Sequence, residues 1–363
     1  MKQRRLPALG LAVALLCSVG LAAQTDKKRE DAQKKEIQNI VKIVDDVSAG
    51  QAAANEMAVA WTHDDVLKAQ GNKQYVPFTV SFDPAKVTGG TVAFYWRVVS
   101  KTAEAVAPEP GKKDDKKDDR DKNSKKKPEY AYEDISFVQV ASGQNSMRVS
   151  RSFTVLAGAY DVFVVIKEPT PEKAPKNAPP PKMSVLKQTI NVPDFWNGEF
   201  NTSTVILAQR IDPLPAPLTP QQQSDRPYAL GMMEIVPVPD TKFTKKSELS
   251  TFMLIYNPKV DKDNKPDVTV EYSFCQVAAS SEPKEGEPCR AGEKFFNKTN
   301  PQNLNATTLP PQFDMAAGHQ LQSGQAVSLA PFPEGQYRLE IKVTDKVTNK
   351  SLIRDVNFTV SAS

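Results

Sequence analysis

Alternation of apolar and polar residues runs through most of this 363-residue chain and predicts short β-strands rather than long helices. In the first half, residues 75–82 and 91–99 are predicted strands, and an Asp-Pro pair between them predicts a turn. The second half repeats this order, with strands predicted at residues 251–256 and 268–277. Short strands separated by turns that contain Gly and Pro are typical of β-sandwiches.

The strongest indication of two copies of one unit is a strand pair that occurs twice. Residues 155–167 and 332–344 both place Gly two positions before Tyr at the head of an alternating strand. A closing strand follows each of them, at 185–192 in the first copy and at 352–360 in the second. A motif repeated in the same order indicates duplication of one β-domain. The repeated residues are Gly158 with Tyr160 and Gly335 with Tyr337.

The chain is therefore expected to be all-β, with two tandem Ig-like β-sandwiches and a short N-terminal helix. We assign residues 55–194 to the first sandwich and residues 228–363 to the second. The connector at 195–227 contains an apolar run at 202–208, which we predict to be the first strand of the second sandwich. Four prolines after this run predict a rigid crossing.

The repeated Gly and Tyr residues are expected to be structural. Glycine permits the turn that starts the strand, while the tyrosine buries its ring and directs its hydroxyl to a nearby backbone group. This arrangement is the tyrosine corner of Ig-like sandwiches. A ligand motif is the alternative interpretation of Gly158, Tyr160, Gly335 and Tyr337.

A helical pattern precedes the first sandwich. Five apolar residues recur at the spacing of one helix face, and a Ser-Ala-Gly sequence after them provides a stop. These residues are Ile37, Ile40, Val41, Val44 and Val47. We assign residues 24–54 to a helical N-terminal arm. Its apolar face either contacts a partner or another copy, or it packs on its own domain, as most apolar helix faces do.

The N-terminus has the layout of a signal peptide. A basic start is followed by an apolar run that ends in small residues, so we predict a signal peptide at 1–23 with cleavage after Ala23. Cys17 lacks the small preceding residue of a lipoprotein signal, which argues against a lipid anchor. An uncleaved membrane anchor is the alternative. The mature protein is expected to be periplasmic or secreted, without a membrane span.

The positive net charge does not indicate nucleic-acid binding. Of the formal charge of +4, three charges lie in the signal peptide and a net four in the segment 112–127, which leaves −3 elsewhere. Nucleic-acid binders carry basic residues on a folded face with aromatic residues among them. The charged segment belongs to an insert at 108–128 that is expected to be disordered. A Pro-rich insert at 169–182 is expected to be extended.

Two cysteines follow the signal peptide, and they predict a disulfide. In an oxidising compartment Cys275 and Cys289 are expected to pair rather than remain free. The bridge would close a loop of about 15 residues, for which chain entropy gives ~3 kcal/mol of stabilisation. Two buried thiols are the alternative.

Residues that usually carry catalysis or bind metals are scarce. Both histidines, His63 and His319, are expected to be solvated loop residues, and no G-x-S-x-G turn is present. Segment 261–267 lacks the ligand positions of an EF-hand and is expected to be a turn. No phosphate-binding loop occurs. We predict no catalytic residue, metal site or cofactor, although carboxylates that meet only in the fold are invisible at this level.

One resemblance adds to this interpretation. The second half contains T-S-T-V-I-L-A, then Y-A-L-G and I-V-P-V-P, then L-S-T-F-M-L-I-Y-N-P, and finally E-G-Q-Y-R-L-E-I-K-V-T-D. Over residues 200–360 this series resembles the Ig-like module found beside GWxTD domains in bacterial envelope proteins. The GWxTD signature itself is absent, because residues 60–64 read A-W-T-H-D. The resemblance implies an Ig-like fold and an envelope location.

Three functions are compatible with these observations. The leading hypothesis is a non-catalytic envelope module that binds or scaffolds another envelope protein or a surface polymer, since sheet edges can accept a partner strand. The first alternative is a secreted hydrolase of polysaccharide or peptide, with acidic residues or His63 in a cleft between the domains. The second alternative is a structural subunit of a surface assembly. The oligomeric state is left open.

Overall fold

The computed structural model describes residues 34–102, 130–141, 143–171, 179–278, 281–282 and 285–362. The predicted signal peptide with Cys17, the insert at 108–128 and the middle of the Pro-rich insert lie outside these residues. In the part of the chain that is described, no helix has both the length and the apolar character needed to cross a membrane.

Strands dominate the described residues, as expected for an all-β protein. The first eight are β1 (Ala60–Asp64), β2 (Leu67–Lys68), β3 (Gln74–Phe82), β4 (Thr91–Ser100), β5 (Tyr132–Gln139), β6 (Met147–Val155), β7 (Gly158–Lys167) and β8 (Met183–Val192). The next six are β9 (Asn201–Thr202), β10 (Ile206–Pro213), β11 (Ala229–Leu230), β12 (Met233–Pro237), β13 (Lys242–Thr244) and β14 (Glu248–Tyr256). The last six are β15 (Val268–Val277), β16 (Glu293–Lys298), β17 (Gln302–Leu304), β18 (Leu321–Ser328), β19 (Gly335–Asp345) and β20 (Lys350–Ser361). The helices are α1 (34–48), α2 (Pro220–Asp225) and a 3₁₀ turn at Pro84–Lys86.

These strands form four sheets. Sheet 1 has β1 and β2 on one side of β3 and β6 on the other, and sheet 2 has the order β5-β4-β7-β8. Sheet 3 has the order β11-β12-β10-β14-β18, with β9 also beside β14. Sheet 4 has the order β13-β20-β19-β15-β16, with β17 also beside β15. All strand pairs are antiparallel except β13 with β20, which are parallel.

Each pair of sheets encloses an apolar core. Core 1 lies between sheets 1 and 2 and includes Phe78 of β3 and Trp96 of β4, whose ring centroids are 6.4 Å apart. Core 2 lies between sheets 3 and 4 and includes Met253 of β14 and Leu339 of β19. The fold is therefore sandwich-like, and the prediction of an all-β protein is confirmed. We refer to sheets 1 and 2 as the first sandwich and to sheets 3 and 4 as the second.

Helix α1 covers the outer face of sheet 2. Two cations on that face anchor it: buried Arg97 of β4 pairs with Asp45 at 2.7 Å, and buried Lys167 of β7 pairs with Glu36. The predicted helix is present, and it packs on its own sheet. The apolar contact consists of Ile40 and Val44 of the helix with Ala93, Tyr95, Phe163, Val165 and Val185 of the sheet.

Strand β14 is buried on both faces. Met253 and Ile255 point into core 2, whereas Phe252, Leu254 and Tyr256 alternate with them and belong to core 1. The same apolar cluster therefore continues from the first sandwich onto the outer face of sheet 3. The residues of the first sandwich and the connector that join it there include Val66, Leu67 and Phe195.

The repeated tyrosines occupy equivalent positions in the two sandwiches. The Tyr160 hydroxyl donates to the Leu156 carbonyl oxygen at 2.9 Å, and the Tyr337 hydroxyl donates to the Pro333 carbonyl oxygen at 2.7 Å. Both rings are buried. Each hydroxyl thus closes the corner four residues before its own strand position, so the geometry is that of the expected tyrosine corner.

Both repeated glycines have a backbone conformation that L-residues rarely adopt. The φ angles are +152° at Gly158 and +147° at Gly335. A Cβ atom on Gly335 would also lie 3.1 Å from the side-chain nitrogen of Gln276. Glycine is required here because it has no Cβ to clash.

The predicted disulfide is present and ties the loop after β15 to that strand. Cys275 and Cys289 are bonded, with their Cα atoms 5.6 Å apart. Beside them Arg338 of β19, buried on the outer face of sheet 4, binds Glu293 and Asp355 at 2.7 Å each. The hydrogen bonds that Arg338 donates to these carboxylates raise its pKa further, so its charge is permanent.

The connector differs from its prediction in one respect. Its apolar run forms the end of β9, a break and the start of β10 in sheet 3, but the Pro-rich stretch also contains α2. Thr219 caps that helix: its hydroxyl accepts from the Gln222 N–H, and the Gln222 side chain accepts from the Thr219 N–H. Pro220 at the first helical position fits because that position needs no donor. The expectation of a plain rigid crossing was therefore incomplete.

Removing either half of the corner in the second sandwich should lower stability. Tyr337→Phe removes the hydrogen bond to the Pro333 carbonyl oxygen and should cost about 1 kcal/mol. Gly335→Ala forces a Cβ into a conformation reserved for glycine and should cost about 1 to 3 kcal/mol. Urea denaturation followed by circular dichroism measures both changes.

Gly90→Ala is the matched control for the glycine change. Gly90 lies outside the left-handed region, and a Cβ there meets nothing within 4 Å. This variant should unfold at the wild-type urea concentration. Equal midpoints for Gly335→Ala, Tyr337→Phe and the wild type would contradict the structural role of the corner.

Candidate functional site: the cavity between the sandwiches

A cavity of about 600 Å³ lies where the two sandwiches meet. One wall belongs to the first sandwich and the connector, and the opposite wall belongs to the second sandwich, including β20. Cavities of this size that join two structural units are common ligand sites. The lining residues are 62–65, Pro193, Phe195, 201–207, 237–241 and 354–357.

The end of β1 carries the polar residues of one wall. The register of β1 on β3 shifts between Trp61 and His63. Trp61 stacks on Phe78 in core 1, and its indole N–H donates to Asp64 at 2.9 Å. Burial raises the pKa of Asp64, although the bond from Trp61 opposes this effect. The bulge therefore lets a core tryptophan and a cavity carboxylate lie three residues apart on a short strand.

Asp65 fastens the two sandwiches together. Its carboxylate accepts hydrogen bonds from the Thr204 hydroxyl and the Tyr228 hydroxyl, each at 2.9 Å. The Val66 N–H in turn donates to the Thr204 hydroxyl at 3.0 Å. Burial raises the pKa of Asp65 to about 7, and the neighbouring charge of Asp64 contributes to this rise. Both oxygen atoms of Asp65 are thus occupied by groups of the protein itself.

His63 is not the solvated loop residue that the sequence predicted. It lies in β1, half-buried, with its Nε2 3.4 Å from the Thr79 hydroxyl and its ring 5.9 Å from that of Tyr228. Burial, with a smaller contribution from Arg148, lowers its pKa to about 4. The prediction was wrong because a strand register places this polar segment against the second half of the chain.

His319 does lie in an exposed loop, as expected. Its Nδ1 accepts a hydrogen bond from the Asp314 backbone N–H at 3.1 Å. It is not among the residues that line the cavity. We assign it no part in the candidate site.

Arg354 provides the positive charge of the cavity. Its guanidinium donates to the Thr202 hydroxyl at 2.9 Å, to the Asn201 side-chain oxygen at 2.6 Å and to the Ile353 carbonyl oxygen at 3.0 Å. Among the described residues no carboxylate forms an ion pair with it. Burial lowers the pKa of Arg354, and no acidic group opposes that effect. A guanidinium has five N–H donors, so two remain for a ligand.

The one grouping of metal-ligand type among the described residues is already used. It consists of Cys275, Cys289 and Glu293. The two sulfur atoms are bonded to each other, and Glu293 is paired with Arg338. A disulfide has no thiolate to offer a metal ion.

The structural residues predicted from the sequence lie apart from this cavity, whereas His63, which the hydrolase alternative named, lines it. Gly158, Tyr160, Gly335 and Tyr337 are at the starts of β7 and β19, and the disulfide is on the outer side of sheet 4. Sequence reasoning missed Asp65, Tyr228 and Arg354. One signal was available for Arg354. When the closing strands are aligned on the repeat, V-L-K-Q-T-I-N-V faces I-R-D-V-N-F-T-V, and an arginine replaces a leucine.

No known protein family matches this chain, and no curated protein is similar to it.

Two titratable groups of the cavity, Asp65 and His63, should affect stability in opposite directions between about pH 4 and pH 7. Asp65 has a folded pKa of about 7 against 3.8 for the free group, so the folded state binds more protons and stability falls as pH rises. His63 has a folded pKa of about 4 against 6.5, so the folded state binds fewer protons and stability rises.

Replacing each residue singly should reveal its contribution to the pH dependence of the free energy of unfolding. In Asp65→Asn the free energy of unfolding should rise relative to wild type as pH increases, by at most about 1.4 kcal/mol per pH unit. In His63→Gln it should fall relative to wild type over the same interval. Urea denaturation at a series of pH values measures both. Parallel profiles for the three proteins would contradict the assigned burial of these groups.

Proposed function

We propose that this chain is a non-catalytic scaffold of the bacterial cell envelope that binds another envelope protein or a surface polymer. The observation that carries the proposal is the burial of β14 on both faces. Two sandwiches that share one apolar cluster present a single composite surface with a cavity at their junction. Such a surface suits recognition of a partner, since its geometry exists before binding.

We further propose that each sandwich is an Ig-like domain. Strand β4 pairs with β7 in the first sandwich, and β15 pairs with β19 in the second. The strands with the tyrosine corner, β7 and β19, each lie between two neighbouring strands. Trp96 also links the sheets through a bond from its indole N–H to the Ser152 carbonyl oxygen at 3.2 Å. Tyr272 makes the equivalent link to the Ser323 hydroxyl at 2.8 Å. These features support the Ig-like assignment.

The polar groups in the cavity support binding rather than catalysis. Asp65 is held by Thr204 and Tyr228, and Asp64 accepts from Trp61. The Thr79 hydroxyl beside His63 is bonded to the Ser150 hydroxyl at 2.8 Å. Hydrogen bonds that a carboxylate accepts from the protein stabilise its charged form and make it a weaker base toward a substrate proton.

The envelope location remains a proposal that rests on the N-terminal sequence and the disulfide. Residues 1–23 have the layout of a signal peptide, and disulfides such as Cys275–Cys289 form and persist in oxidising compartments. Expression with export in a bacterial host should yield a mature protein that begins at Gln24. Mass spectrometry of the exported protein measures this, and an intact Met1 would contradict it.

Affinity purification tests the scaffold function. Tagged full-length protein incubated with envelope extract should recover the same component in replicate experiments, and the purified component should bind the purified chain directly. His63→Gln and Asp64→Asn serve as matched variants because each removes a titratable group of the cavity and leaves the hydrogen bonds of Asp65 in place. A scaffold should retain its partner in both. Failure to recover any reproducible component would contradict the proposal.

A hydrolase is the second candidate, and one observation favours it. A carboxyl group with a pKa of about 7 lies next to a second carboxyl and a histidine in a cavity between two structural units. Such groups can act as general acids. Turnover of polysaccharide or peptide substrates that is lost in Asp64→Asn and Asp65→Asn, with unchanged folding, would favour the hydrolase over the scaffold.

A further inference from the structure

Among the described residues, no strand pairs with the part of the β20 edge that faces the cavity. Strand β13 pairs only with the last residues of β20, from Thr359 to Ser361. The Thr359 N–H donates to the Thr241 carbonyl oxygen at 2.9 Å, so the N–H of Thr359 points away from β19. The N–H and C=O groups of successive residues point to opposite edges of a strand, and the pairing of β20 with β19 has no register shift. The N–H and C=O groups of Ile353, Asp355 and Asn357 therefore point to the same open side.

The equivalent edge in the first sandwich is partly closed by the chain itself. The Val185 N–H donates to the Ala54 carbonyl oxygen at 2.7 Å, and the Glu56 N–H donates to the Met183 carbonyl oxygen at 3.2 Å. Val185 of β8 corresponds to Ile353 of β20 in the repeat. In the part of the chain that the structure describes, no backbone segment makes the corresponding hydrogen bonds to this part of β20.

Apolar surface from both cores borders this open edge. Phe195 and Ile206 of core 1 line the cavity, as does Leu207 of core 2. Val205 and Val356 line it as well and pack against core 2. An added strand would direct alternate side chains onto this surface, because side chains alternate between the two faces of a strand.

The sandwich fold does not require a charged residue at the position of Arg354. Arg354 faces Ile341 of β19, and the corresponding pair in the first sandwich is Leu186 with Val164. Leu186 packs on core 1, as an inward position demands. The second copy instead has a guanidinium there without a carboxylate partner among the described residues. Arg354 is half-buried and its hydrogen-bond partners are all neutral, so an anionic group supplied from outside would offset the cost of removing its charge from water.

We infer that the β20 edge is a strand-addition site for an extended peptide of a partner protein, whose acidic side chain pairs with Arg354. The backbone of the peptide bonds to Ile353, Asp355 and Asn357, and its apolar side chains on the same face as the acid enter the cavity. Backbone pairing provides affinity in this mode of recognition, and the side-chain pockets provide specificity. The inference rests on the proposed scaffold function and names the site and the chemical class of partner.

Selection from a phage-displayed library of random seven-residue peptides tests the site on the immobilised full chain. Enriched peptides should share one Asp or Glu with apolar residues two positions before or after it, because those residues share a strand face. Synthetic copies of these peptides should bind Arg354→Gln at least about tenfold more weakly than wild type. Absence of enrichment, or enrichment without an acidic residue, overturns the inference.

Two variants of Asn357 separate the edge from the charge. Asn357→Pro removes an N–H that makes no bond to β19, and edge strands tolerate proline at such positions. Asn357→Thr keeps the N–H and is the matched control. The selected peptides should lose binding to the proline variant and keep it to the threonine variant. Equal binding to both overturns the inference.

Hydrogen exchange of the wild-type chain gives a readout that does not depend on folding of a variant. Saturating peptide should slow exchange of the Ile353, Asp355 and Asn357 amides, and unchanged rates at all three overturn the inference. A second copy of this chain as occupant would appear as a wild-type dimer that Asn357→Pro dissociates. That outcome also overturns the assignment to a partner peptide.

Partner recovery tests the scaffold function and peptide selection tests the peptide site, so either experiment can contradict its own proposal without contradicting the other. If the component recovered from envelope extract binds Arg354→Gln and Asn357→Pro as tightly as wild type, the scaffold function stands and the peptide site does not. If peptides are selected as expected but no envelope component is recovered, the peptide site stands and the envelope function does not.

Discussion

Most features of this molecule depend on one strand, β14, having an apolar residue on both of its faces. A sandwich needs only the inward face of such a strand to be apolar, which Met253 and Ile255 provide for core 2. Phe252 and Leu254 on the opposite face would be exposed in an isolated sandwich, and burying each contributes about 1.5 to 3 kcal/mol. The gain holds the sandwiches in one arrangement, and the cavity exists because of that arrangement.

The two copies differ where their surroundings differ. The outer positions of β7 are apolar at Phe163 and Val165 because α1 covers them, whereas β19 has Glu340 and Lys342 at the equivalent positions. Most inward positions and the tyrosine corner are alike in the two sandwiches, because each sandwich needs them in order to fold. Outward residues were free to change. The Arg338 network at outward positions, together with Arg354 at an inward position, distinguishes the second sandwich from the first.

Prediction from the sequence succeeded where short-range patterns decide the structure. Alternation located the long strands, the spacing of apolar residues located α1, and the Cys275–Cys289 pair formed as expected. It failed at His63, which was expected in a solvated loop, because a short strand with a bulge has too few residues for an alternation to be recognised. The capping box of α2 was readable but lay among prolines that suggested an extended crossing.

The sequence by itself determined the fold class, the repeated strand pattern and the chemistry of the corner, since each depends on residues that are close in the chain or repeated in order. Only the tertiary structure decided what surrounds Asp65. Its two partners, Thr204 and Tyr228, are 139 and 163 residues away along the chain. Likewise, the open edge beside Arg354 depends on which segments pack over β20. Burial and pairing at such distances follow from the packing of whole sheets, and no local pattern encodes them.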